Sequence, residues 1–210
     1  IIYDSPIYEN NPNITPINKV DRNKPIHFIN YYNEARPYID YERSSDKNWK
    51  WNMNFRPTPG KLYFTESEKN KAISILSAAK DHWKKINNTK FKAIIFFEST
   101  STKIDDSFFY YKMKNKDWGE SNWKELILKL KDKYLIIQSK HEKSKKYEGV
   151  YYSSVDFDFR TACAIMNHCD LFLGPEGGFS HAAAAIRKKA IVYFGGWIHP
   201  KVTGYESHQN

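Results

Sequence analysis

The chain passes from irregular polar sequence into a regular alternation of apolar runs and amphipathic segments. Residues 1–24 carry scattered Asn and Pro without a period and predict a surface connection. "PIHFINYYNEARPYIDYE", from Pro25 to about Tyr41, is aromatic-rich and predicts a helix interrupted at Pro37. Alternation around Trp49 and Trp51, with turn residues on both sides, predicts a connector or a short strand. Thr65-Glu66-Ser67-Glu68 then has the form of a capping box. Behind it Ala72, Ile75, Leu76, Ala79 and Trp83 recur at helical steps, so a helix with one buried stripe and an outer face of lysines is expected.

From about residue 91 the pattern becomes strand, helix, strand. "KAIIFFES" (92–99), "YLIIQS" (134–139), "GVYYSS" (149–154), "DLFLG" (170–174) and "AIVYFGG" (190–196) read as strands. "ESNWKELILKLKD" (120–132) puts Trp123, Leu126, Ile127 and Leu130 on one helical face. "FDFRTACAIMNHC" (157–169) and "FSHAAAAIRKK" (179–189) read as further helices. Strands that are apolar without alternation are buried on both faces. Their interleaving with helices predicts a doubly wound parallel sheet of α/β class from residue 91 to the end.

Composition adds bounds to this picture. The 210 residues, 40% hydrophobic and 16% aromatic, suffice for a sizeable core. No run approaches the roughly 18 to 20 apolar residues that cross a bilayer, and "IIYDSPIYEN" has neither the basic start nor the apolar stretch of a signal peptide. The first residue is not Met, and the expectation is that the chain begins inside a longer protein. The formal charge of +9 favours anionic partners without choosing among phosphate groups, nucleic acid and an acidic membrane surface. Cys163 and Cys169, six apart in one expected helix, do not share a face; they read as reduced, half-buried apolar residues.

The chemistry gathers in "DLFLGPEGGFSHAAAAIRKKAIVYFGG", residues 170–196. Here a strand ends at Gly174-Pro175, two glycines follow, and Ser180 and His181 sit in the first turn of the next helix. In parallel sheets ligands lie beyond the carboxyl ends of the strands. Glycines admit close backbone approach, and a helix start offers unpaired N–H groups and a positive dipole end to a phosphate. Two readings stay open on pattern alone. One is an anion seat with Ser180 as cap or donor and His181 aimed at the same place. The other is a tight turn, with Gly177 and Gly178 at positive φ and His181 bonded into the core.

These residues resemble the donor-binding segment of glycosyltransferase family 9, the heptosyltransferase-like family. Glu176 falls on its acidic position, where Asp is usual. Gly177 falls on a Thr, Gly178 on the Gly, Phe179 on an apolar site and His181 on the His. "KDWGESNWKELILKL" (116–130) is similar to the family's Lys-x-Trp-Pro element, matching at Lys116 and Trp118 with Gly119 for the Pro. Ser99 and Thr100 stand where the family has hydroxyls after a strand, and about a dozen extra residues (103–114) separate them from Lys116. The resemblance covers roughly residues 62–200. It implies the C-terminal, donor-binding half of a GT-B glycosyltransferase: residues 91–210 a Rossmann-like domain for a nucleotide sugar, residues 1–90 a remnant of the acceptor-side domain with its connecting helix.

By that resemblance Gly177, Gly178, Ser180 and His181 seat the diphosphate from one side and Lys116, Ser99 and Thr100 from the other, with Glu176 on sugar or nucleoside hydroxyls. The implied enzyme is inverting and metal-independent, without a cofactor beyond its nucleotide-diphosphate sugar. It acts in the cytoplasm or at the inner membrane face on a cell-envelope glycan or lipid-linked acceptor. The family's general base lies near the start of its first domain, so none is nominated, and His27, Glu34 and Asp40 receive no such role. Trp197 reads first as packing and second as a ring for stacking on the sugar. Val155 to Phe159 read as a capping segment or a nucleoside wall. The lysine runs 140–146 and 187–189 read as solvated surface, then as a membrane-apposed face. His199 and His208 lack the partners of a metal site, and no nucleic-acid motif occurs. A non-catalytic nucleotide or sugar-binding module and a nucleotide-sugar epimerase of the same fold are the alternatives.

Overall fold

The computed structural model describes residues 6–25, 40–43, 49–99, 116–139 and 145–210. Residues 6–25 hold two short 3-10 turns, Pro6–Tyr8 and Ile17–Lys19, without a buried residue. β1 (Tyr41–Arg43) pairs antiparallel with β2 (Trp49–Trp51). The helix expected from Pro25 lies mostly outside the described residues, and its last expected residue, Tyr41, belongs to a strand because it is drawn into register with Trp51.

α1 (Glu66–Ile86) begins as its sequence requires: Thr65 Oγ1 accepts from Glu68 N at 3.1 Å, and the Glu68 carboxylate accepts from Thr65 N at 2.7 Å. Its buried residues are the five of the apolar stripe, Ala72, Ile75, Leu76, Ala79 and Trp83. Full burial of side chains the size of Leu76 is worth roughly 2–3 kcal/mol each, so packing, more than helix propensity, holds this element in place.

The remaining elements follow in order: β3 (Ile94–Phe97), α2 (Glu120–Leu130), β4 (Leu135–Gln138), β5 (Val150–Tyr152), α3 (Phe159–Asn167), β6 (Leu171–Pro175), α4 (Gly178–Ala185), β7 (Ala190–Tyr193), α5 (Pro200–Thr203) and β8 (His208–Gln209). β3 to β8 form one six-stranded sheet, order β5-β4-β3-β6-β7-β8, parallel at every pairing. The mixed α/β class and the parallel sheet are those expected. β8 is an addition: two residues, His208 and Gln209, extend the edge beside Ala190 and Ile191.

The alternation of strand residues divides the core in two. Ile94, Phe96, Leu135, Ile137 and Phe172 face α1, α3 and α4. Ile95, Phe97, Ile136 and Leu173 face Trp123 and Ile127 of α2 together with Tyr147. Both faces are therefore covered, which is what continuous apolar strands demand. α3 ends at Asn167, so Cys169 lies beyond the helix rather than inside it. Both thiols are free and buried. Burial raises both thiol pKa values, that of Cys169 to about 12, and makes them unreactive at neutral pH.

Arg160 of α3 ties the N-terminal segment to this body. Its side chain is 5% exposed. Nε donates to Glu68 Oε1 at 2.5 Å, and one terminal nitrogen donates to Glu68 Oε2 at 3.0 Å and to Tyr63 O at 2.6 Å. The other terminal nitrogen donates to Pro6 O at 2.9 Å. Glu68 thus closes the α1 capping box and receives the guanidinium, whose hydrogen bond, set against burial, holds its carboxyl below the usual carboxylate range.

Candidate functional site

All six strands present their carboxyl ends along one edge of the sheet. From β3 the chain builds outward through β4 and β5, while β6, β7 and β8 lie on its other flank. The reversal falls between β3 and β6, the place where open α/β sheets bind ligands. Glu98 N donates to Leu173 O at 3.0 Å and joins the two strands there. Gly174 permits the approach: a Cβ at this position would stand 2.8 Å from Glu98 O and 2.9 Å from the Phe172 ring.

After β6 the chain carries Glu176, whose backbone N–H donates to Tyr193 O at 2.9 Å at the end of β7. Its carboxylate meets two basic side chains. Lys116 Nζ lies 2.8 Å from Oε2, and His181 Nε2 lies 3.9 Å from Oε1. The Lys116 ammonium also stands 5.7 Å from the centroid of the Trp197 ring, which is exposed. Lys116 reaches this point because Trp118, two residues on, is fastened to the sheet. Its ring stacks on Tyr193 at 5.5 Å and meets Trp123 edge-on at 4.8 Å. Between Trp118 and α2, Gly119 has φ 91°. A proline ring holds φ near −65°, so the Gly that replaces the family's Pro follows a backbone path closed to Pro.

α4 opens directly behind Glu176. Its first turn supplies amides that no helical carbonyl can satisfy. Ser180 does not face the seat as a donor. Its buried hydroxyl accepts from Gly177 N at 3.1 Å and donates to Gly177 O at 2.8 Å, closing the helix start on itself. Gly177 is near-extended (φ 159°, ψ −160°) and Gly178 is helical, so the turn with two residues at positive φ is not formed. His181 is 30% exposed at its side chain, and its Nδ1 lies 2.9 Å from Tyr205 Oη. Burial lowers its pKa, and Lys116 lowers it further against the opposing pull of Glu176, so the ring is neutral at pH 7.

The structure brings Lys116, Glu176, His181 and Trp197 together at the start of α4, with Gly177 and Gly178 supplying backbone. It separates the others. The Phe179 ring packs between Phe96 at 5.4 Å and Phe159 at 4.9 Å, so this residue anchors the helix in the core instead of contacting a ligand. Ser99 is buried, and its Oγ accepts from Gln138 Nε2 at 3.4 Å inside the protein. Thr100, the residues 103–114, His27 and Glu34 lie outside the described residues. Asp40 accepts from Asn52 Nδ2 at 2.8 Å beside the β1–β2 ladder, Asp158 caps α3 through Thr161 N at 2.8 Å, and His199 caps α5 through Lys201 N at 3.1 Å. Of the lysine run 187–189, Lys188 Nζ turns back onto the backbone carbonyls of Asn167 and Cys169.

Two features escaped the sequence reading. Glu98, 2% exposed, accepts from Ser99 N at 3.0 Å and Gln138 Nε2 at 3.1 Å through Oε1, and from the Ser139 hydroxyl at 2.8 Å through Oε2. The Gln138 carbonyl in turn accepts from Tyr152 Oη at 2.9 Å. This carboxylate locks the ends of β3 and β4 together beneath the crevice. The visible signal was that two apolar strands end alike, "FFES" and "IIQS". The second is Tyr205, which follows α5 and reaches back to His181; no pattern near residue 205 announces it. Among the described residues no group of three His, Cys, Asp or Glu side chains is placed to hold a metal ion, and no helix is long and apolar enough to cross a membrane.

Comparison with known proteins bears on the same region. The family model of glycosyltransferase family 9 (heptosyltransferase) matches residues 75–210. Among solved structures, the glycosyl transferase family 9 protein of Veillonella parvula DSM 2008 is similar with a TM-score of 0.51 and 14% identity, over 74% of this chain and 42% of that one. The ADP-heptose lps heptosyltransferase II of E. coli gives a TM-score of 0.47 and 15% identity, over 70% of this chain and 44% of that one. The chain therefore spans less than half the length of either. No curated protein matches it in sequence.

Proposed function

The chain belongs to glycosyltransferase family 9, and on that premise we propose that it forms the donor-binding half of a glycosyltransferase using a nucleotide-diphosphate sugar. The observation that carries this reading is the convergence of Lys116, Glu176 and His181 on the first turn of α4, at the reversal point of the parallel sheet. In the transfer, the acceptor oxygen bonds to the anomeric carbon as the bond from that carbon to the phosphate oxygen breaks, and the electron pair leaves on the nucleoside diphosphate. The developing charge is met by the Lys116 ammonium, by an imidazole N–H of His181 and by the amides of Gly178 and Phe179. Positive groups held in place before the reaction stabilise such a leaving group without reorganising. In this reading the transfer needs no metal and inverts the anomeric centre. Glu176, poised beside the same groups, receives hydroxyls of the sugar.

The acceptor is a cell-envelope glycan or a lipid-linked saccharide at the cytoplasmic membrane face, a choice favoured by the family's description as heptosyltransferases. The base that takes the acceptor's proton is assigned to no described residue of this chain. Calorimetric titration of ADP, UDP and GDP against the wild type, Lys116→Ala and His181→Ala tests the seat. At least one nucleotide should bind, with Lys116→Ala weakening it by about tenfold or more, as expected for a charged hydrogen bond. Equal affinity in all three proteins would remove the assignment.

A further inference from the structure

His181 is held at one nitrogen of its ring and faces a carboxylate with the other. Nδ1 lies 2.9 Å from Tyr205 Oη, and Nε2 faces Glu176 Oε1 across 3.9 Å. Tyr205 is 4% exposed and well fastened. Its carbonyl accepts from Asn210 Nδ2 at 3.2 Å and from His208 N at 3.0 Å, and its ring meets those of His181 and His208 edge-on, at 5.7 and 5.4 Å.

We propose that Tyr205 is a positioning residue of the donor site. It donates its phenolic hydrogen to His181 Nδ1 and so keeps the imidazole proton on Nε2, the nitrogen that faces Glu176 and an incoming diphosphate oxygen. The inference rests on the donor-site reading above.

A neutral imidazole carries one N–H, and the partner of one nitrogen decides which nitrogen bears it. If Nδ1 held the proton, the Nε2 lone pair would point toward the Glu176 carboxylate, a repulsive arrangement. The Tyr205 hydrogen would then also need another acceptor in a buried place. With the phenol as donor, the Nε2–H dipole points at the carboxylate and both groups are satisfied. Glu176, Lys116, Tyr205 and His208 are among the groups that face the ring. Burial raises the Tyr205 pKa to about 12, so its hydrogen is present at every working pH.

The test is the tautomer itself, read from imidazole nitrogen-15 shifts of the intact chain at pH 7.5, assigned by comparison with His181→Ala. The Nε2–H form should dominate in the wild type and give way to a mixture in Tyr205→Phe, which keeps the ring and loses only the hydroxyl. Affinity for whichever of ADP, UDP and GDP binds should fall roughly 3- to 10-fold in Tyr205→Phe, the worth of one neutral hydrogen bond. It should not fall further when the same change is made in His181→Ala. A dominant Nδ1–H form in the wild type overturns the proposal, and so does an equal loss in both backgrounds. If no nucleoside diphosphate binds the wild type, the donor-site reading fails, while the wild-type tautomer still decides the role of Tyr205. That measurement also stands if Tyr205→Phe does not fold.

Discussion

Lys116 and Glu176, sixty positions apart in the chain, form an ion pair of 2.8 Å at the entrance to α4, with both side chains largely withdrawn from solvent. The proposed seat for an anion thus already contains one, and any diphosphate that engages Lys116 must share it with this carboxylate.

Substitution of Glu176 should therefore act in opposite directions on two ligands. Glu176→Gln removes the competing charge while keeping the shape, and affinity for a free nucleoside diphosphate should rise about fivefold, the equivalent of roughly 1 kcal/mol for one partly screened charge interaction. Affinity for the matching nucleotide sugar should rise less or fall, because sugar hydroxyls lose a charged acceptor. Parallel titrations of the two ligands read the difference. A weaker nucleoside diphosphate in Glu176→Gln would mean that Glu176 does not compete for Lys116.

Gly174→Ala probes the crevice from below. The new methyl would stand 2.8 Å from Glu98 O and 2.9 Å from the Phe172 ring, and neither a ladder carbonyl nor a core ring can yield without parting β3 from β6. Overpacking of this kind costs about 1–3 kcal/mol. Denaturant unfolding should record that loss, and diphosphate binding should weaken with it. A variant as stable as the wild type would show that the two strands have slack at this point.

The Arg160–Glu68 clasp predicts a purely structural effect. Arg160→Met leaves the Glu68 carboxylate without its guanidinium and the Tyr63 carbonyl without the donor it has in the wild type, while Pro6 O keeps only the backbone N–H of Glu9 at 3.2 Å. Loss of about 3 kcal/mol is expected, as for one partner of a buried pair, lowering the melting temperature by on the order of 10 °C in a chain of this size. Nucleotide affinity at a temperature where the variant is folded should be unchanged. A shift under 2 °C, roughly the smallest that scanning separates from wild type, would place the clasp among pairs of no net value.

How much of this was legible in the sequence follows from the physics of each part. α1 was written twice, in its Thr65–Glu68 box and in its apolar stripe, and both are satisfied in the structure. The sheet was legible because burial on two faces removes most polar residues from a strand, as in "IIFF". β8 was not, since His208 and Gln209 owe their strand geometry to the neighbouring β7 and not to their own pattern. At the α4 turn His181 was singled out by the strand-turn-helix pattern, and Glu176 and Lys116 by the family resemblance of their two segments; the structure brings the three side chains together. Ser99 and Phe179 were read as ligand contacts, yet each is turned inward by a partner distant in sequence, Gln138 and Phe96; of the two roles read for Ser180, cap and donor to a ligand, its bonds to Gly177 are those of the cap. A single chain records which groups are polar or aromatic, while the direction of a side chain belongs to the packing around it.

His208 makes the last prediction, on pH. The ring is buried, its Nε2 has no hydrogen-bond partner, and burial together with the nearby His181 lowers its pKa to about 4. In the unfolded chain a histidine titrates near 6.5. Between these two values the unfolded state holds a proton that the folded state refuses, so stability must fall as the pH drops from about 6.5 toward 4, by about 3 kcal/mol at the limit. Well above pH 6.5 both states are neutral at this residue and it contributes no slope. His181, lowered mainly by its own burial, adds loss of the same sign. The carboxyls of Glu68 and Asp158, held low by Arg160 and by Thr161, stabilise the fold above the ordinary carboxylate range and give way only at more acid pH. His208→Leu removes the titrating group and the unpaired nitrogen while keeping the residue apolar and buried. Urea unfolding at pH 7.5, 6.5, 5.5 and 4.5 should show a marked decline below 6.5 in the wild type and a shallower one in the variant, with the two curves running parallel near neutrality. Identical slopes would assign the acid sensitivity to groups other than His208.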